Sequence, residues 1–61
     1  MPTIKEARLE AGLTQQAMSD LMEIPKRTIE DWENNRRTPP KYVEKLVIAE
    51  LMRIKEQNAN P

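Results

Sequence analysis

Apolar residues recur along the chain at helical spacing. Ile4, Ala7 and Ala11, with Arg8, share one face of a first helix. Met18, Leu21 and Met22 supply the apolar positions of a second, with Ser19 as a small residue one turn before Met22. Ile29 and Trp32 are spaced to face inward from a third. A fourth, longer stretch carries Leu46, Val43, Ile54, Val47 and Leu51 on one arc. Ile48 and Met52 widen that arc beyond what one packing face needs. Two readings of the excess stand side by side. Either these are ordinary exposed apolar residues, or they form the seam of a homodimer, since a broad apolar helix surface calls for a cover.

Local signals place the ends of these helices. Thr3 and Glu6 have capping-box spacing, so the first helix starts at Ile4 and runs to about Ala11. Gly12 suits a left-handed C-terminal cap. Thr14 is an N-cap for a second helix over Gln15 to Met22. Pro25 opens a third helix that ends at Asn34-Asn35, asparagine being the best non-glycine residue for a left-handed cap. Pro39-Pro40 is the strongest break. The last helix begins near Pro40 and runs to about Glu56, and residues 58–61 form a frayed tail. Residues 1–57 are thus one all-α domain, too small for either side of the proline break to bury a core alone.

Composition narrows the chemistry. The 61 residues contain no cysteine and no histidine. Disulfides, thiolate metal sites and the commonest general base are therefore excluded, and no cofactor is expected. One glycine leaves no phosphate-cradling loop. The carboxylates are scattered over helix surfaces with no nucleophile beside a base, so an enzyme is not expected. No apolar run reaches the ~20 residues that cross a bilayer, and the segment MPTIKEARLE has no apolar signal core. A cytoplasmic location fits these features. Ten basic and ten acidic residues cancel, but unevenly: residues 36–61 hold six basic and three acidic side chains, residues 1–35 four and seven. Arg36, Arg37 and Lys41 lie in a segment without a negative charge. It reads either as a solvated connection or as a phosphate-contacting patch.

The second and third helices, over about residues 14–34, are joined by only two or three residues. That is the helix-turn-helix arrangement, whose second helix lies in the major groove of DNA. The residues sharpen the match. Ala11-Gly12-Leu13-Thr14-Gln15-Gln16, Met18, Met22, Ile24, Thr28-Ile29, Trp32-Glu33 and Arg36-Arg37 together resemble the lambda-repressor-like, Xre/Cro-type helix-turn-helix family over roughly residues 4–40. The resemblance implies a compact bundle of four or five helices that acts as a transcriptional regulator on double-stranded DNA, often as a homodimer. It implies a phosphate contact for Gln15 and base reading from Lys26 and Arg27, with Thr28 and Asp31 on or near the same face. It also implies backbone contacts from the amides near Asn35 and Arg36 and from the side chains of Arg36 and Arg37. Arg8 and Glu33 resemble a charge pair tying the first helix to the end of the third.

Three features depart from the family pattern. Glu23 stands at a turn position where glycine is common, and a left-handed backbone there costs on the order of 1 kcal/mol. Asn35 likewise replaces a frequent glycine, with better suited geometry. Glu30 and Asp31 make the middle of the third helix acidic, against the phosphate term that dominates DNA affinity. A second function therefore stays open: a protein-interaction module, adaptor or antitoxin-like, on the same scaffold.

Overall fold

The structure, a computed structural model, describes residues 2–59. Among them there are four helices and no strand: α1 (Ile4–Glu10), α2 (Gln15–Met22), α3 (Lys26–Glu33) and α4 (Lys41–Ala59). The two N-caps expected from sequence are formed. Thr3 Oγ1 accepts from the Glu6 N–H at 3.1 Å while the Glu6 carboxylate accepts from the Thr3 N–H at 2.9 Å. Thr14 Oγ1 accepts from the Ala17 N–H at 3.0 Å. Pro25 precedes α3 as its N-cap and does not form its first residue.

The first three helices stop in the same way. Gly12, Glu23 and Asn35 have φ of 75°, 54° and 60°. In each case the next residue's N–H reaches back five positions: Leu13 to the Arg8 carbonyl, Ile24 to Ser19, Arg36 to Asp31. Glu23 thus keeps the left-handed turn despite its side chain. Part of the compensation comes from Ser19, whose hydroxyl donates to the Ile24 carbonyl at 2.6 Å and pins the turn from the other side.

The core consists of Ile4, Ala7, Ala11, Met18, Ile29, Val47, Ile48 and Leu51, with Leu13, Met22, Ile24, Trp32, Val43, Met52 and Ile54 packed around it. The small residues Ala7 and Ala11 let α1 lie close against α4, and α2 packs on α3. Three expectations are corrected here. Leu21 and Leu46, expected to face inward, are 61 % and 67 % exposed. Of the expected dimer seam, Ile48 is buried and Met52 half-buried against the core. The apolar arc of α4 spans roughly 240°, so the sequence leaves its rotation undecided. Packing against α1 turns the helix by roughly 70° from the expected setting. The large apolar residues exposed on α4 are Tyr42 and Leu46. The last correction concerns the tail: α4 continues through Ala59. Lys55 Nζ meets Glu10 Oε1 at 2.9 Å, and the Asn58 amide donates to the Ala11 carbonyl at 3.4 Å, so α1 holds the last turns in place. Asn60 and Pro61 lie outside the described residues.

Candidate nucleic-acid interface

The candidate site is built on a buried polar network. Arg8 Nε donates to Glu33 Oε2 at 2.8 Å and Nη2 to Oε1 at 3.0 Å, while Nη1 donates to the Leu13 carbonyl at 2.9 Å. The two side chains are 9 % and 4 % exposed. Burial pushes the Glu33 carboxyl up, but the bonds from Arg8 and Gln15 and the charge of Arg8 outweigh it and hold its pKa below the usual value. One network thereby fixes the start of α2, the end of α3 and the turn after α1.

Gln15 belongs to this network. Its Nε2 donates to Glu33 Oε1 at 3.1 Å, a bond that sequence reasoning missed. An amide nitrogen carries two hydrogens, so Gln15 keeps a second donor while its orientation is fixed from behind. The missed signal was the shared end-of-helix location of Gln15 and Glu33, visible only once α2 and α3 are packed.

Lys26 and Arg27 are exposed at the start of α3, Thr28 is half-buried, and no side chain caps the first N–H groups of this helix. Arg36, Arg37 and Lys41 are exposed as well. A shallow groove along α3 is lined by Arg27, Glu30, Asp31, Asn34 and Arg36, which brings two expected base readers, Arg27 and Asp31, beside one expected phosphate contact, Arg36. A second cleft, between the start of α1 and the chain after α3, brings Lys5 beside Arg37. Lys5 was not singled out from sequence.

Two expectations fare differently. The backbone N–H groups of Asn35, Arg36 and Arg37 donate to the carbonyls of Trp32 and Asp31, so they are engaged within the fold. Only the side chains of this segment are available to a phosphate. Asp31, expected to read a base, is buried, and its carboxylate lies 4.0 Å from Arg36 Nη1 and 3.8 Å from Arg37 Nε. On the floor of the shallow groove it faces the loop arginines.

A family model described as helix-turn-helix matches residues 4–52, which covers all of α1 to α3 and most of α4. No curated protein and no solved structure matches the chain. The match agrees with the all-helical architecture and the short α2–α3 connection. The chain belongs to the lambda-repressor-like, Xre-type helix-turn-helix family.

Proposed function

We infer that the protein binds double-stranded DNA sequence-specifically, as a small transcriptional regulator, with α3 in the major groove. The observation that carries this reading is the exposure of Lys26 and Arg27 at the start of α3, a helix whose far end the Arg8–Glu33–Gln15 network ties to α1 and α2. Arginine pairs bidentately with guanine, and lysine reaches the same edge. Gln15, Arg36, Arg37 and Lys41 supply phosphate contacts on either side, which set register and orientation.

The regulator acts as a homodimer, doubling a phosphate term that a neutral net charge keeps small. Ile48 is buried and Met52 half-buried against the core, which leaves them a poor seam. Tyr42 and Leu46, four residues apart on the outer face of α4, take that role in the proposal.

Selection of bound sites from a random duplex pool tests this reading. The wild type is expected to enrich one half-site motif. Lys26→Ala with Arg27→Ala is expected to bind the pool but lose the motif. Enrichment of no motif by a folded wild type would leave α3 without a reading role.

A further inference from the structure

Asp31 is covered where its helix position says it should be open. It lies about 200° around α3 from the core residue Ile29, on the outward side with Arg27 and Asn34. Its side chain is nevertheless only 13 % exposed. The cover is the chain that follows α3. Asn35, at φ 60°, turns it back, and the N–H groups of Arg36 and Arg37 both donate to the Asp31 carbonyl, at 2.8 and 3.3 Å. Arg36 Nη1 then stands 4.0 Å from one carboxylate oxygen and Arg37 Nε 3.8 Å from the other.

One anion with two oxygens is thus flanked by two guanidinium groups. A phosphate held by the same arginines has the same layout. The two arginine side chains are 69 % and 77 % exposed, and both distances lie at the outer limit of an ion pair. Such solvated, loosely spaced contacts are weak enough for a phosphate to displace. The other charged groups along this groove are Arg27 and Glu30, on the same helix.

We propose that Asp31 is an internal stand-in for a DNA phosphate, a positioning residue that occupies Arg36 and Arg37 until duplex displaces it. The proposal rests on the DNA-binding reading above. Its consequence falls on the sequence-independent part of affinity, because these arginines meet the backbone and not the bases. An aspartate on a DNA-facing helix then tempers binding to every sequence.

The test is a coupling measurement with random-sequence duplex at low salt, read by fluorescence anisotropy. Asp31→Asn is expected to bind about fivefold tighter than wild type, with a steeper fall as salt rises. Added to Arg36→Ala with Arg37→Ala, the same change is expected to gain no more than Glu30→Gln does. Glu30→Gln serves as the control for general charge, with an equal effect in both backgrounds. The inference is overturned if Asp31→Asn binds no tighter than wild type, or if its gain beyond that of Glu30→Gln persists without the two arginines. Asp31→Ser carries the same comparison if Asp31→Asn melts at a much lower temperature. A folded wild type that ignores duplex altogether overturns the DNA reading itself, a separate outcome from a missing coupling.

Discussion

Arg8 and Glu33 meet in two parallel hydrogen bonds, 2.8 and 3.0 Å long, across 25 residues of sequence. The pair is nearly dry, so each partner is tolerated only because the other is present. Arg8→Ala is expected to cost about 3 kcal/mol by leaving the Glu33 carboxylate buried and unpaired. Replacing both, as Arg8→Met with Glu33→Leu, is expected to cost less than either alanine substitution alone. Thermal melting of the three variants checks the order; equal or additive losses would place the pair on the surface.

Acid should dismantle the same network. The folded state holds the Glu33 pKa below its ordinary value of 4.5. Its contribution is therefore complete above the unfolded pKa and disappears as the pH falls through the lower folded one. Glu6 acts in the same direction, held low by its bonds to the backbone and side chain of Thr3. Urea unfolding at a series of pH values is expected to show level stability above about pH 5 and a decline below about pH 4.5. In Glu33→Gln the decline should be shallower, from a lower plateau. A profile that rises on acidification would contradict the assignment.

The left-handed Glu23 is the one stop without a residue suited to it. Glu23→Gly removes the steric strain at φ 54° but adds freedom to the unfolded chain. The net expectation is a gain of about 0.5 kcal/mol, some 2–4 °C in melting temperature for a domain of this size. Gly12→Ala, at φ 75° with open space around it, is expected to lose stability from backbone strain alone. Differential melting of both variants decides; a loss in Glu23→Gly would mean that the glutamate side chain supports the turn.

Much of this fold was legible before any coordinates. Caps are local, so Thr3, Glu6, Gly12, Thr14 and Asn35 could be assigned from their neighbours in sequence alone. The Arg8–Glu33 pair came from family resemblance, because its partners are remote in sequence. What failed was rotation. An apolar arc that wraps most of α4 fits several settings, and only α1 decides that Ile48 turns inward and Leu46 outward. Asp31 failed for a related reason: its helix register is outward, and the cover arrives from a loop whose path depends on Asn35.

That rotation separates two substitutions only two residues apart on opposite sides of α4. Ile48→Ala is expected to destabilise the monomer by about 2–4 kcal/mol through lost burial and a cavity. Leu46→Lys is expected to leave melting of the monomer within about 0.5 kcal/mol and to prevent self-association. Sedimentation at micromolar concentration, with melting at high dilution, distinguishes the two effects. Wild-type protein that sediments as a monomer would remove Tyr42 and Leu46 from the proposed seam.

The central claim is that the start of α3 and the loop after it present cations to a duplex. Titration of random-sequence duplex with folded wild-type protein across a salt series tests it most directly. Binding is expected at low salt and to weaken steeply as salt rises, with a flatter slope once Arg36 and Arg37 are both alanine. Absence of duplex binding at low salt, or a salt slope untouched by removing both arginines, would contradict it.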